Sequence, residues 1–198
     1  MFEALRALLD TLAVSFDLPI LDWIAANIWC PALDVAMPII TMLGDAGIFW
    51  IAVAVVLLLI PKYRKIGWTM GVALLIGLLL CNVTLKPLVG RIRPYDYKLE
   101  HFGTTIQLLV GAQHDFSFPS GHTIASFEAA TALLIYNKKM GIPAMILAVL
   151  IAFSRLYLYV HYPTDVLLSI VLGTAIAFLA CWLVKKGYAI WETKKQKV

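Results

Sequence analysis

The sequence predicts an all-α fold, a bundle of six transmembrane helices preceded by an N-terminal amphipathic helix. Two observations predict this fold. Hydrophobic residues make up 62% of the 198 residues and charged residues only 14%, whereas a soluble domain is about 45–50% apolar. The apolar residues also form segments suited to crossing a hydrocarbon core of about 30 Å, and polar connections separate them. A chain of this length suits one integral membrane domain over residues 1–198, without a separate soluble domain.

The first residues carry an amphipathic pattern. Four leucines share one helical face and three charged residues lie away from it: Leu5, Leu8, Leu9 and Leu12, and Glu3, Arg6 and Asp10. This pattern predicts a helix over residues 1–16 that lies on the membrane surface. The charges among the leucines are unlike those of a secretory signal peptide, so we expect no cleavage here.

Six apolar segments follow, and each is predicted to span the membrane: residues 18–43, 46–60, 66–85, 121–137, 142–160 and 164–184. The first is the least regular, because Pro31, Asp34 and Pro38 interrupt it. Its alternative interpretation is an interfacial helix followed by a short crossing, and Asp34 would need a partner inside the bundle. The turn before the second segment contains Asp45, which we expect to cap the following helix.

Basic residues are divided unequally between the two ends of these segments. Six spans put both termini on one side, together with the connections at 61–65 and 137–140, and eleven of the sixteen Lys and Arg residues lie there. The positive-inside rule therefore predicts a plasma-membrane protein with cytoplasmic termini, including a basic tail at 185–198, and with the long connection 86–120 outside. The five cations on the outer side run against this bias, which suggests that they have a function.

The composition argues against several other classes of protein. The formal net charge is +4, but no basic cluster with interleaved aromatic residues points to a nucleic acid partner. Three cysteines are isolated in apolar segments and are expected to be core residues: Cys30, Cys81 and Cys181. Three histidines lack the spacing of metal ligands, so no metal or other cofactor is expected: His101, His114 and His122.

Three segments on the outer side carry the polar residues of a candidate site. They are Lys86–Pro94, Pro119–His122 and Ser154–Asp165. Lys86, Arg93 and Arg155 supply three positive charges, as a tetrahedral dianion requires when it sheds water at a membrane surface. Ser120 is expected to cap a predicted helix, and with the amides of Gly121 and His122 it lies at that helix N-terminus, which also favours an anion.

Two histidines complete the chemistry of phosphoryl transfer, which needs a nucleophile on one side and a proton donor on the other. We expect His161 to be the nucleophile and His122 the general acid, with a phosphohistidine intermediate that is opened by water activated by His122. Asp165 lies four residues after His161 and can orient its imidazole if a helix begins between them. Pro163 places His161 before that helix and Asp165 in its first turn.

These three motifs, K-x6-RP, PSGH and SR-x5-H-x3-D, resemble those of the type 2 phosphatidic acid phosphatase (PAP2) superfamily, which shares its site with vanadium haloperoxidases. The likeness covers about residues 40–185 and all three motifs match. It implies phosphate binding by Lys86, Arg93, Ser120, Gly121 and Arg155, general-acid catalysis by His122, and nucleophilic attack by His161 with Asp165 as its partner. It implies no metal.

The expected function is hydrolysis of a phosphate or diphosphate on an outer-leaflet lipid, with undecaprenyl diphosphate as the first choice of substrate. Phosphatidic acid and phosphatidylglycerophosphate are the alternatives, and a non-catalytic lipid transporter or a vanadate-dependent haloperoxidase is a less favoured function. Glu128 is either functional or part of a buried hydrogen bond. The charged residues of the long connection are expected to be mainly solvated: Arg91, Asp96, Lys98, Glu100, His101, His114 and Asp115.

Overall fold

The computed structural model describes residues 2–195, and these residues form helices and connections without a strand. Met1 and residues 196–198, which include Lys197 of the predicted basic tail, lie outside the described residues. The N-terminal part consists of α1 (Phe2–Leu12), a π-helical turn (Ala13–Asp17), α2 (Leu18–Asn27), α3 (Pro31–Met42) and α4 (Ile48–Leu59). The remainder consists of α5 (Arg64–Gly77) with a π-helical continuation (Leu78–Leu85), α6 (Lys86–Val89), α7 (Pro94–Phe102), α8 (Gly121–Tyr136), α9 (Lys138–Tyr157) and α10 (Pro163–Lys195).

Helix α8 lies at the centre of the bundle and packs against α5, α9 and α10. Its buried face is rich in small residues, including Ala129, Ala130 and Ala132, which allow neighbouring helices to approach closely. On α10, a Cβ at Gly173 would lie 2.9 Å from the carbonyl oxygen of Ile124. The outer surface of the bundle is apolar, as a lipid-facing surface should be, with large exposed residues such as Leu79, Val171 and Phe178.

Three stretches of the described chain are long and apolar enough to cross a membrane: Pro61–Phe102, Lys138–Tyr157 and Pro163–Lys195. A fourth crossing is available if Pro31–Met42 and Asp45–Leu59, which are bent by 40° at their junction, act as one span. The structure thus supports a multi-pass membrane protein but does not by itself confirm six spans. Two of the predicted spans correspond to short helices, α4 with 12 residues and α8 with 16.

Two local predictions need correction. Residues 18–43 form two helices that are separated at Ile28–Cys30, which agrees better with the alternative of two shorter elements. Residues 185–195 of the predicted basic tail continue α10 as a helix. Asp45 makes no capping hydrogen bond to the helix that follows it, because its carboxylate is engaged elsewhere, as described below. Asp34 does have the partner it requires, since Tyr157 donates a 2.6 Å hydrogen bond to it.

The N-terminal helix α1 packs against α6 and therefore lies beside one of the candidate motifs. Leu9 is buried with Val89 and Phe118, whereas Leu8 is exposed. One part of the apolar face of α1 is thus covered by protein and another is open to the surroundings.

Candidate active site

Lys86, Arg93 and Arg155 occupy the ends of three helices at the same end of the bundle. Lys86 begins α6, Arg93 directly precedes α7, and Arg155 lies in the last turn of α9. Gly90 ends α6 with a φ of 62°, a left-handed conformation that glycine adopts without strain. This turn lets Arg93 donate a 2.7 Å hydrogen bond to the carbonyl oxygen of Val160, in the connection that follows α9.

Arg155 is buried, yet its guanidinium is only partly satisfied. Its Nη1 donates a 2.6 Å hydrogen bond to Thr41 Oγ1, but its Nε and Nη2 have no partner among the described residues. The residue is 2% exposed. A buried cation with open donors is costly unless an anion binds to it. Arg155 therefore has the properties expected of an anion-binding residue.

His161 and Asp165 lie where their spacing predicts. His161 is in the connection between α9 and α10, and Asp165 is in the first turn of α10. Their closest atoms, His161 Nδ1 and Asp165 Oδ2, are 3.6 Å apart, which is longer than a hydrogen bond. The other ring nitrogen, Nε2, lies 3.3 Å from Arg93 Nη1. The imidazole therefore presents Nε2 to the cations and Nδ1 to the aspartate.

The environment of His161 keeps its imidazole neutral. Burial, followed by the positive charges of Arg93, Arg155 and Lys86, holds the pKa of His161 well below its ordinary value. A neutral imidazole has a free lone pair on one ring nitrogen, which a nucleophile or base requires.

Ser120 caps α8 as the sequence predicts, since its Oγ accepts a 3.5 Å hydrogen bond from the amide of Thr123. His122 follows in the first turn of α8, and its Nε2 lies 2.7 Å from Asp45 Oδ1. A carboxylate can only accept, so Nε2 carries the proton in this arrangement. Gly44 allows this contact, because a Cβ at that position would lie 2.7 Å from His122 Cδ2.

A cavity of about 240 Å³ joins part of the predicted site. Lys86, Gly121 and His122 line it, whereas His161, Arg93 and Arg155 are not among its lining residues. The cavity extends to Glu128, which is 1% exposed and whose Oε1 has no hydrogen-bond partner among the described residues. The buried hydrogen bond that was one alternative for Glu128 Oε1 is therefore not present in the described structure.

Asp115 occupies the space between two of the predicted phosphate-binding residues. Its carboxylate forms ion pairs with both Lys86 and Arg93. Burial opposes ionisation, but the hydrogen bonds and charges of Lys86 and Arg93 prevail and lower the pKa of Asp115 to about 2. Asp115 is exposed, as expected of this connection, but it is not merely solvated, because its ion pairs hold this anion where the sequence predicts a phosphate.

Arg91 is the second residue whose role the sequence did not indicate, because it is buried and bonded to the partner of His161. Its Nη1 donates a 2.5 Å hydrogen bond to Asp165 Oδ1, and its Nη2 donates a 2.8 Å hydrogen bond to Asp17 Oδ2. Ser117 donates a further 2.5 Å hydrogen bond to Asp165 Oδ2. The available signal was the position of Arg91 two residues before Arg93, among cations that oppose the charge bias.

Other polar residues of these segments have structural contacts. Lys98 pairs with Asp22 across a distance of 2.7 Å, and His101 stacks on Tyr97. Ser154 is buried and donates a 2.6 Å hydrogen bond to the carbonyl oxygen of Ile151 within its own helix. These residues do not line the cavity that contains His122.

Comparison with known proteins agrees with the geometry. Residues 66–188 match the profile of the PAP2 superfamily. The undecaprenyl-diphosphatase of Sulfolobus acidocaldarius is 37% identical over 139 residues, which are 70% of this chain and 65% of that protein. The phosphatidylglycerophosphatase B of Bacillus subtilis is 30% identical over 190 residues, 90% of this chain and 88% of that protein.

The fold is also similar to that of a solved structure. The crystal structure of a transmembrane PAP2-type phosphatidylglycerolphosphate phosphatase from Bacillus subtilis superposes with a TM-score of 0.71 and 29% identity, over 93% of this chain and 92% of that one.

Proposed function

Because this chain belongs to the PAP2 superfamily, we propose that it hydrolyses a phosphate or diphosphate on a membrane lipid through a phosphohistidine. The observation that carries the proposal is the buried guanidinium of Arg155, whose Nε and Nη2 lack a partner while its charge acts on a neutral His161. An anionic phosphate would satisfy both open donors. The same anion would place its phosphorus beside the His161 Nε2 that faces Arg93.

The proposed reaction has two steps. The substrate phosphate displaces the Asp115 carboxylate from Lys86 and Arg93. His161 Nε2 then attacks phosphorus, the bond from phosphorus to the leaving oxygen breaks, and His122 gives that oxygen a proton. In the second step His122 takes a proton from water, the water oxygen attacks phosphorus, and the N–P bond breaks to release inorganic phosphate.

The remaining residues support this chemistry in defined roles. Ser120, Gly121 and Arg155 bind the phosphate oxygens together with Lys86 and Arg93, and Asp165 orients the imidazole of His161. Asp45 accepts from His122 Nε2, and its negative charge favours the imidazolium form of His122, whose Nδ1 proton goes to the leaving oxygen. Arg91 fixes Asp165 from the side away from the imidazole. The contacts above support the roles of Asp45, Asp165 and Arg91, and the matched motif positions support those of the phosphate-binding residues.

Undecaprenyl diphosphate, hydrolysed to undecaprenyl phosphate, is the substrate we propose first. The 37% identity to a protein of that activity supports it. Phosphatidylglycerophosphate is the alternative, supported by a relative of that activity that covers more of the chain. Phosphatidic acid is the third choice. The chemistry at phosphorus is the same for all three, so the lipid is distinguished outside the phosphate-binding residues.

We also propose the orientation that the charge distribution predicts. Residues 1–198 form one membrane domain, in which α3 together with α4, α5 with its continuation, and α8, α9 and α10 make five crossings, one fewer than the sequence predicts. The helix α1 lies at the membrane surface on the side of His161, because it packs against α6, so the prediction that both termini are cytoplasmic is replaced by a cytoplasmic end of α10 alone. The end that contains His161 faces away from the cytoplasm, because the exposed cations are concentrated at the other end.

The experiment is phosphate release by the purified protein in detergent from each of the three lipids, with EDTA present. We expect release to be fastest from undecaprenyl diphosphate and to be lost in His161→Ala. His101→Ala is the matched control, since this histidine is exposed and stacked on Tyr97, and it should retain full activity. If folded protein releases phosphate from none of the lipids, the phosphatase function is wrong and a transport function takes its place.

A further inference from the structure

The end of the bundle opposite His161 contains a second and larger cavity, of about 980 Å³. Its walls are the connection between α4 and α5, the end of α8, and the last turns of α10. We call it the basic–aromatic pocket and define it by six of its lining residues: Lys62, Arg64, Lys65, Tyr136, Tyr188 and Trp191. About 30 Å of helix separates Lys65, in this pocket, from Lys86, at the His161 end. The pocket therefore lies at the opposite end of α5 from Lys86.

The cations of this pocket are exposed and carry no ion pair. Lys62, Arg64 and Lys65 are exposed, and none of them forms a salt bridge with any residue in the range 2–195. No Asp or Glu lines the cavity. Arg64 uses its Nε on the carbonyl oxygen of Leu58 at 3.1 Å, which leaves the rest of its guanidinium available. The pocket therefore offers three positive charges to an anion from outside the protein.

Its other walls are aromatic and apolar. Lys65 Nζ lies 4.8 Å from the ring centre of Tyr188, and Tyr136 and Trp191 extend this wall along α8 and α10. Apolar side chains of α5 and α10, among them the buried Ile66, continue this wall towards the membrane-spanning part. Tyrosine and tryptophan favour the headgroup region of a bilayer because they are amphipathic.

We infer that the basic–aromatic pocket binds one anionic phospholipid, with the phosphodiester held by Lys62, Arg64 and Lys65 and the acyl chains lying against α5 and α10. A free phosphate would use the cations but leave the apolar walls unoccupied. A zwitterionic lipid would bring a choline or ethanolamine cation beside three lysine and arginine side chains. An anionic phospholipid satisfies both the charge and the apolar surface of the pocket.

The charge bias that orients a membrane protein does not by itself account for this pocket. Lys138 and Lys139 are at the same end and equally exposed, but they do not line the cavity. If only the bias mattered, the four lysines would be equivalent. The pocket distinguishes Lys62 and Lys65 from Lys138 and Lys139, because a lipid bound there contacts α5 and α10 together. The opposite ends of these two helices lie beside Lys86 and contain Asp165.

The test compares two double variants in detergent micelles doped with phosphatidylglycerol or phosphatidylcholine. Binding is followed by native mass spectrometry, and the midpoint of thermal unfolding, Tm, is measured in parallel. We expect phosphatidylglycerol to bind to the natural protein and to raise its Tm. In Lys62→Ala/Lys65→Ala its affinity should fall about 30-fold, since each lysine near an anionic headgroup contributes about fivefold. Lys138→Ala/Lys139→Ala, with the same loss of charge, should behave like the natural protein.

Three results would overturn the inference. They are equal losses of affinity in the two double variants, an equal rise of Tm with phosphatidylcholine, and equal protection by soluble glycerol 3-phosphate. The first would indicate a diffuse attraction, the second a solvent effect of lipid, and the third a site for free phosphate. A cooperative thermal transition without lipid shows that both double variants are folded, so neither this control nor the lipid readout depends on the proposed catalytic activity.

Discussion

The two ends of the helical bundle use positive charge in opposite ways. At the end that contains His161, the cations are buried or half-buried and most are paired: Lys86 and Arg93 with Asp115, Arg91 with Asp17 and Asp165, and Lys98 with Asp22. At the other end, Lys62, Lys65, Lys138 and Lys139 are exposed and form no salt bridge within residues 2–195. Lysine and arginine therefore differ between the two ends in how much hydration they keep and in whether a carboxylate pairs with them.

The difference between the two ends shows at which end the positive charges lose hydration free energy. An exposed lysine keeps its hydration, so its presence at a membrane edge costs little. A buried arginine loses hydration and must be compensated by partners. The active-site end therefore holds its cations in place with carboxylates, whereas the basic end leaves them free to attract lipid. We expect substitutions at the first end to change catalysis and those at the second to change lipid binding.

The largest effect should come from His161. We expect His161→Asn to reduce phosphate release by at least about a thousandfold, because an amide cannot form the phosphorylated intermediate. Rapid quenching of a reaction with lipid labelled at its terminal phosphorus should trap acid-labile label on the natural protein and none on the variant. Label on the variant would move the nucleophile to another residue. Lys62→Ala, at the basic end, should keep both the label and the rate.

A substitution of Arg155 should separate activity from stability. Arg155→Met removes two phosphate donors, and we expect activity to fall about a hundredfold or more. It also removes a buried charge whose Nε and Nη2 are unsatisfied, so the free energy of unfolding without ligand should rise by about 1 kcal/mol or more. Phosphate release measures the first effect, and thermal unfolding with and without orthovanadate measures the stability and the binding of a phosphate analogue. A variant that is less stable and still protected by vanadate would show that Arg155 is structural.

Asp45 should matter for some leaving groups more than for others. If the negative charge of Asp45 favours the imidazolium form of His122, Asp45→Asn should slow phosphatidic acid hydrolysis about tenfold or more, because the leaving alkoxide needs the Nδ1 proton of that form. The leaving group of undecaprenyl diphosphate is undecaprenyl phosphate, which is less basic than an alkoxide and depends less on a general acid. Hydrolysis of undecaprenyl diphosphate should therefore slow less. Equal losses on both substrates would indicate that Asp45 only shapes the turn. Asp45→Glu should restore part of the rate, and Asp96→Asn is the matched control.

The sequence allowed prediction of the helical class and of the positions of the three motifs, because membrane helices and phosphate chemistry both leave local patterns. The position of Pro163 correctly placed His161 before a helix and Asp165 in the first turn of that helix. Ser120 was correctly identified as a helix cap. In each case the structure depends on residues that are close together in the chain.

Contacts between distant segments could not be predicted in the same way. Asp45 and His122 are 77 residues apart, and Arg91 and Asp17 are 74 apart. Only the packing of α8 against the turn before α4, and of α1 against α6, brings them together. The break at Ile28–Cys30 entered only as the alternative interpretation of residues 18–43, because the hydropathy of the segment hides a change of direction that tertiary packing decides.

The smallest effect, and the one that sharpens the comparison most, concerns Asp115. In the proposed mechanism this carboxylate competes with substrate for Lys86 and Arg93, so Asp115→Asn should lower KM a few-fold while leaving kcat nearly unchanged. The pKa of Asp115 is lowered to about 2, which is below its ordinary value. Its ion pairs therefore contribute stability above about pH 4, and this contribution is lost as the pH falls towards 2.

Asp115 consequently remains ionised throughout the range in which activity would be measured. The ratio of KM values between the natural protein and Asp115→Asn should thus be constant from pH 5 to 8, and Asp96→Asn should leave KM unchanged. A higher KM in Asp115→Asn would mean that Asp115 holds the two cations in position for the phosphate. In that event the paired charges of the active-site end would be a scaffold, and Asp115 would not be a displaceable competitor of the substrate.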